Sequence, residues 1–302
     1  MKTVFASVLT GKDYTERYLP SFYQSIKSIY NNDFELFIAT DNISFIKNYN
    51  IKNINLVEVE SFDDKDYTKK ASRKVNSYQK LFSKISLKYP DDTRLCFLDS
   101  DTCVIKNIDN YFKYDFDVAF TFYHNHMTPY GDASYTNKGF NRLNSGVILS
   151  KLNKNSKSFF KVWKKITNDF IENGSPLNKE FMGEDQDSLA YIVGTKQINV
   201  NGTPVRTFLP NFATKNLVKL EDSIVKITGF TCRELNEPES VKTIPENCHI
   251  IHYKGGWRKI LEKDEIDWGN FSTSARKKEN SIHQYNVWIK NRKEFLKERK
   301  LK

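Results

Sequence analysis

No run of about 18 apolar residues occurs in this chain, which excludes a conventional membrane-spanning helix. The opening residues, Met1-Lys2-Thr3-Val4-Phe5, lead directly into a strand-like segment and lack the charged, apolar and small-residue zones of a secretory signal. Both absences lead to the expectation of a soluble or peripheral protein in the cytoplasm. Cysteine is scarce as well. Cys96, Cys103, Cys232 and Cys248 have neither zinc-ligand spacing nor the density of a disulfide scaffold, as expected in a reducing compartment. Cys96 and Cys248 fall in apolar runs and read as core residues. No internal repeat and no low-complexity segment is present.

What is present is a globular composition. The 302 residues are 39% hydrophobic and 14% aromatic, enough for one large α/β domain or two smaller ones. The net charge of +10 invites a nucleic-acid reading, but its distribution argues against one. Phe271 to Lys302 carries ten Lys or Arg against Glu279, Glu294 and Glu298, so most of the surplus is a property of the tail. No nucleic-acid partner is expected.

The hydrophobic pattern predicts strands at Thr3 to Leu9, Phe34 to Ala39, Leu56 to Val59 and Val118 to Phe122. Between them lie helical patterns: Leu19, Phe22, Ile26 and Ile29, then Val75, Tyr78, Phe82 and Ile85. Alternating strands and helices predict an α/β fold with a mostly parallel sheet, whose ligands bind beyond the carboxyl ends of the strands. Thr10, Asp41 and Asp99 all lie at such ends.

Asp99-Ser100-Asp101 is the organising stretch. It follows the apolar run Leu95 to Leu98, and residues i and i+2 of an extended chain point the same way. Two carboxylates so placed can share one hard cation, Mg²⁺ or Mn²⁺, completed by phosphate and water. The plain alternative is a pair of turn-capping acids. Arg73, Lys74 and Lys80 lie on or near the preceding helix and either face an anionic ligand or are solvated. His124 and His126 form a His-x-His with no further ligand close by in sequence. Asn144-Ser145-Gly146 reads as a turn before the strand Val147 to Leu149, unless Asn144 bonds a polyhydroxyl ligand. Glu184, Asp185 and Asp187 open a helix, the usual place for acids. The late strand His249 to Tyr253 runs into Lys254-Gly255-Gly256-Trp257-Arg258-Lys259, where glycines among cations would let a phosphate approach.

Four segments in this order, "FLDSDTCVIKNI", "NSGVILSKL", "FMGEDQDSLAYI" and "IIHYKGGWRK", resemble the retaining glycosyltransferases of the family-8 type across most of residues 1 to 260. The resemblance implies a GT-A (Rossmann-like) fold, a mixed, mostly parallel sheet flanked by helices, over residues 1–265, with a basic, partly amphipathic helical extension over 266–302. It further implies a metal-dependent hexosyltransferase, using Mn²⁺ or Mg²⁺ and a nucleotide sugar such as UDP-glucose or UDP-galactose. The acceptor would be a glycan or glycolipid, as in polysaccharide or lipopolysaccharide biosynthesis. Carried over by position, Asp99, Asp101 and His252 would hold the metal, and Gly255 and Arg258 would meet the diphosphate. The family usually has Lys where Arg258 stands, so Lys259 could share that role. Asn144, Asp185 and Gln186 would surround the donor sugar, with Gln186 beneath the anomeric carbon. Lys80 falls near an Arg that contacts donor groups in similar enzymes, and Thr10 and Asp41 would hold the nucleoside.

Such a reaction needs charge stabilisation more than a strong base, because the departing phosphate oxygen can take the acceptor's proton. A covalent route through Asp185 stays open. In the tail, Ile282, Tyr285, Trp288, Ile289, Phe295 and Leu296 share a broad face flanked by Lys290, Lys293 and Lys297. That face suits either an anionic membrane surface or packing onto the domain. Two rival readings remain. "FLDSDT" also resembles the haloacid-dehalogenase phosphatases, in which Asp99 would be the nucleophile, and a non-catalytic carbohydrate-binding module is the other.

Overall fold

The computed structural model describes residues 2–60, 67–123, 142–176, 183–193, 196–200, 203–207, 216–221, 223–238, 246–253 and 275–299. In chain order the elements are β1 (Thr3–Val8), α1 (Lys12–Tyr30), β2 (Phe34–Thr40), α2 (Ile43–Lys47), β3 (Ile54–Glu58), α3 (Tyr67–Ser86), β4 (Arg94–Leu98) and β5 (Thr102–Val104). After a 3₁₀ turn come β6 (Val118–Tyr123), β7 (Arg142–Lys151), α4 (Lys154–Asn173), α5 (Glu184–Val193), and the hairpin of β8 (Lys196–Val200) and β9 (Thr203–Thr207). The remainder is β10 (Asn216–Leu220), β11 (Ser223–Thr231), α6 (Cys232–Leu235), β12 (Glu237–Pro238), β13 (Ile250–His252) and α7 (Ala275–Glu298).

Eight strands form one sheet in the order β10-β11-β6-β7-β4-β1-β2-β3. β4, β1, β2 and β3 pair in parallel, as do β11 and β6, whereas β7 runs antiparallel to both its neighbours. This is the mixed, mostly parallel α/β sheet with flanking helices expected from the sequence.

Because side chains alternate along a strand, each buried strand feeds two cores. Phe5, Cys96, Leu98, Val147 and Leu149 pack on one face against Leu19, Phe22 and Ile26 of α1. Val4, Ala6, Leu95, Phe97 and Ile148 pack on the other against Val75, Tyr78 and Phe82 of α3 and Phe159, Phe160 and Trp163 of α4. All four cysteines are buried, and none forms a disulfide.

One expectation changes, and one of two open readings of the tail is the one observed. The Asn-Ser-Gly segment is not a turn before β7 but lies inside it, at a register shift opposite Phe120/Thr121. An irregularity of this kind bends the strand and re-aims its side chains. In the tail, Tyr285, Trp288, Ile289 and Phe295 of α7 are buried in the first core. The Trp288 ring stands edge-on to Tyr18 of α1 at 5.6 Å and to Tyr253 at 5.0 Å, and its carbonyl accepts a bond from Ser21. The aromatic residues that a membrane surface would require are thus covered by protein, while Lys290, Lys293 and Lys297 stay exposed. Among the described residues no helix is long and apolar enough to cross a membrane.

Candidate metal centre

The parallel pairing of β1, β2 and β4 brings Thr10, Asp41 and Asp99 to one end of the sheet. Asp99, Ser100 and Asp101 there form a tight turn between β4 and β5, rather than the extended continuation expected from the sequence. The Thr102 hydroxyl donates to the Asp99 carbonyl across this turn, and the Asp99 amide donates to the Gly146 carbonyl. β5 then pairs with β13 so that Thr102 stands opposite His252, and the Tyr253 amide donates to the Asp101 carbonyl. Residues 150 positions apart in sequence are brought together by this three-residue ladder.

His252 Nε2 lies 3.1 Å from Asp101 Oδ1 and 3.6 Å from Asp99 Oδ2. One ligand atom from each of the three residues falls within 4.8 Å of the others. Asp101 is 1% exposed and His252 2%. Two converging carboxylates, one of them buried, repel unless positive charge sits between them. Two hard oxygen donors and one imidazole at this spacing fit a divalent cation such as Mn²⁺ or Mg²⁺, with open positions left for phosphate and water.

Lys74 supplies part of that charge. Its ammonium lies 2.7 Å from Asp99 Oδ1, 2.9 Å from Ser145 Oγ and 3.7 Å from Asp185 Oδ2. Burial alone would lower its pKa, but Asp99 and Asp185 outweigh burial and hold it above the ordinary lysine value. Ser145 donates in turn to Asp185 Oδ2 at 2.6 Å, tying α5 to β7. The Tyr78 hydroxyl sits 3.4 Å from Asp99 Oδ1, and burial followed by the Asp99 charge raises its pKa well above normal.

The other sequence-predicted residues divide. Asp185 joins the cluster through Lys74 and Ser145, and Gln186 follows it in the first turn of α5. The side-chain oxygen of Asn144 turns inward, accepting from the Gly146 amide and from Asn236. Asp41 accepts from the Gly11 amide at 2.8 Å, and Thr10 accepts from Arg73 at 2.7 Å, so the strand ends are braced by α3 and by the start of α1. Lys80 instead donates to the Glu58 carbonyl at the far edge strand β3, in an exposed position. It lies six positions after Lys74, about 240° around the helix, so the two project from different faces of α3. Gly255, Arg258 and Lys259 lie outside the described residues, as do His124 and His126.

A protein-family model for nucleotide-diphospho-sugar transferases matches residues 32–259. The chain belongs to that family. The family's domain spans both arms of the metal centre, Asp99-Ser100-Asp101 and His252, and agrees with the resemblance read from the motifs. No curated protein matches this nucleotide-sugar transferase by sequence. Among solved structures it is similar to the glycosyltransferase GlyE of Streptococcus pneumoniae TIGR4, at 15% identity and TM-score 0.48, covering 96% of this chain and 63% of that one. It thus spans less than two thirds of that relative's length. It is also similar to the galactosyltransferase LgtC bound to donor and acceptor sugar analogues, at 15% identity and TM-score 0.48, covering 93% of this chain and 100% of that one.

Sequence reasoning missed one participant and left another undistinguished from its neighbours. Asn236, fully buried beside His252, sits in a polar run with no local motif. Lys74 is one of six cations on α3 and was grouped with Arg73 and Lys80 as able to face an anionic ligand; only the helix phase, set by a start at Tyr67, singles it out.

Proposed function

We propose that this nucleotide-sugar transferase moves a hexose from UDP-glucose or UDP-galactose to a glycan or glycolipid acceptor with retention. The observation that carries the reading is the convergence of Asp99, Asp101 and His252 at the ligand-binding end of the sheet, beside the Lys74–Asp185 pair. Asp99, Asp101 and His252 would hold a divalent ion, and the mixed oxygen and imidazole set suits Mn²⁺ somewhat better than Mg²⁺. When bound, such an ion supplies Lewis-acid stabilisation of the diphosphate leaving group.

The chain's own residues supply the rest. Arg258 or Lys259 would meet the diphosphate beside Gly255, adding a cation where negative charge develops. Thr10 and Asp41 would border the nucleoside, and Asn144, Asp185 and Gln186 the sugar. Lys74 ties Asp99 to Asp185, which would hold the first turn of α5 and turn Gln186 toward the sugar. The Asp185 carboxylate accepts from Ser145 and faces Lys74, a setting that favours a holding role over nucleophilic attack. The acceptor's proton then leaves with the departing phosphate oxygen, so no side-chain base is required. Cytoplasmic action on a membrane-borne acceptor is compatible with this chemistry.

The test is nucleotide release from a panel of UDP- and GDP-sugars with Mn²⁺ or with chelator, beside a generic phosphomonoester. Metal-dependent UDP release that is lost in Asp101→Asn is the expected result. Phosphomonoester cleavage would overturn the reading in favour of a phosphatase with Asp99 as nucleophile, and sugar binding without turnover would favour a carbohydrate-binding module.

A further inference from the structure

His252 can offer a lone pair at only one ring nitrogen, and the atoms around it decide which. The backbone N–H of Gly146, which can only donate, fixes the polarity of the network. It donates to a side-chain atom of Asn144 at 2.9 Å, so that atom is the carboxamide oxygen Oδ1. The Asn236 atom lying 2.6 Å from the same oxygen must then be its NH₂ group, which also reaches Thr121 Oγ1 at 2.6 Å. The opposite end of the Asn236 carboxamide is therefore its oxygen, and it faces His252 Nδ1 at 2.6 Å. An acceptor at that distance requires a proton on Nδ1. Once the ring is neutral, the lone pair is at Nε2, the nitrogen that faces Asp99 and Asp101.

We propose that Asn236 is a positioning residue for the metal centre, reading the orientation of a β7 amide through Asn144 and passing it to His252 as a fixed tautomer. The inference rests on the metal-dependent reading above, and it assigns a function to a residue outside the three ligands. Partners of this kind orient a ligating imidazole and raise its basicity, and their loss typically lowers metal affinity by about 10–100-fold. A neutral carboxamide does so without adding a third negative charge beside Asp99 and Asp101. Asn236 is 0% exposed, and every interaction described for its side chain points to this network. The same bonds hold Asn144, so the sugar side and the metal side of the site share one support.

Two measurements on the full chain test this. Ring ¹⁵N NMR of the metal-free protein, with the His252 signals assigned from His252→Gln, should show Nδ1 protonated from neutral through alkaline pH. In Asn236→Leu the ring should shift to or mix with the Nε2–H form, in which Nε2–H donates to the Asp101 carboxylate. Mn²⁺ titration followed by electron paramagnetic resonance should then give about 10–100-fold weaker binding in Asn236→Leu. Asn236→Asp, which keeps an acceptor for Nδ1, should recover part of that loss. Near-ultraviolet circular dichroism shows whether each variant keeps its tertiary packing. An unfolded Asn236→Leu moves the decision to Asn144→Leu, which cuts the same relay one bond earlier. Wild-type His252 protonated at Nε2, or a folded Asn236→Leu with unchanged tautomer and unchanged Mn²⁺ affinity, would overturn the role of Asn236. A wild-type protein that binds no Mn²⁺ while keeping Nδ1 protonated would instead count against the transferase reading.

Discussion

Gly146→Ala is the sharpest single perturbation of this site. A Cβ at this position of β7 would lie 2.3 Å from His252 Cε1, 2.6 Å from its Nδ1 and 2.8 Å from Asn144 Oδ1. Ordinary contact begins near 3.4 Å, so the imidazole would have to move by about 1.1 Å. It has little room to do so. His252 is 2% exposed, its ring is held by Asn236 and its backbone is paired to Thr102. Nor can β7 yield easily, since it is bonded to β4 on one side and β6 on the other. Overpacking of this kind costs about 1–3 kcal/mol in stability. A displacement near 1 Å also exceeds the ~0.5 Å within which a binding constellation must be held, so the loss of metal affinity should match the loss of a supporting residue, about 10–100-fold. Urea unfolding gives the first number and Mn²⁺ titration the second. Wild-type Mn²⁺ affinity in a folded Gly146→Ala protein would refute the claimed closeness of β7 to the ring.

Three further outcomes follow from the same contacts. Lys74→Met leaves Asp99 and Asp185 without their shared cation; with the Lys74 side chain 18% exposed, the cost should fall between surface and buried pairs, about 2 kcal/mol, and be smaller when melting is repeated with Mn²⁺. Trp288→Ala should destabilise the chain by about 3–5 kcal/mol in chemical denaturation, because the ring is fully buried between Tyr18 and Tyr253. Glu298 binds Lys27 across α1 and α7, and this bond, outweighing desolvation, lowers its pKa. Its contribution is therefore present above the ordinary glutamate pKa of about 4.3 and is lost as pH falls through the lower folded value. Glu298→Gln should be at most ~1 kcal/mol less stable than wild type at neutral pH, and the two should converge in acid.

Much of the architecture was legible because burial imposes period. The strands Thr3 to Leu9, Phe34 to Ala39 and Val118 to Phe122 were read to within a residue or two of β1, β2 and β6, and the α1 stripe faces the core as its spacing required. Local signals failed where tertiary pairing prevailed. Gly146 looked like a turn residue because nothing nearby shows that two neighbouring strands carry β7 past it. Its function is to leave room for a ring contributed from 106 residues away. Asp99 and Asp101 were singled out as a pair that could share a cation, and the structure does bring them together with His252, but by a different geometry. A turn and the β5–β13 ladder bring them to His252, and strand alternation does not.

The tail pattern was equally readable and equally incomplete. Tyr285, Trp288 and Phe295 announced an amphipathic helix, whereas the partner, α1, could be known only from the fold. Through the Trp288–Tyr253 contact this helix also packs against the residue next to His252.

The central claim is that Asp99, Asp101 and His252 hold one divalent cation that carries the donor's diphosphate. Crystals grown with Mn²⁺ and UDP, measured for manganese anomalous scattering, address it directly. A single peak is expected within coordination distance of both carboxylates and of His252 Nε2, touching the UDP phosphates and absent in Asp101→Asn. Ordered UDP with no peak there, or with manganese bound elsewhere, would contradict the account.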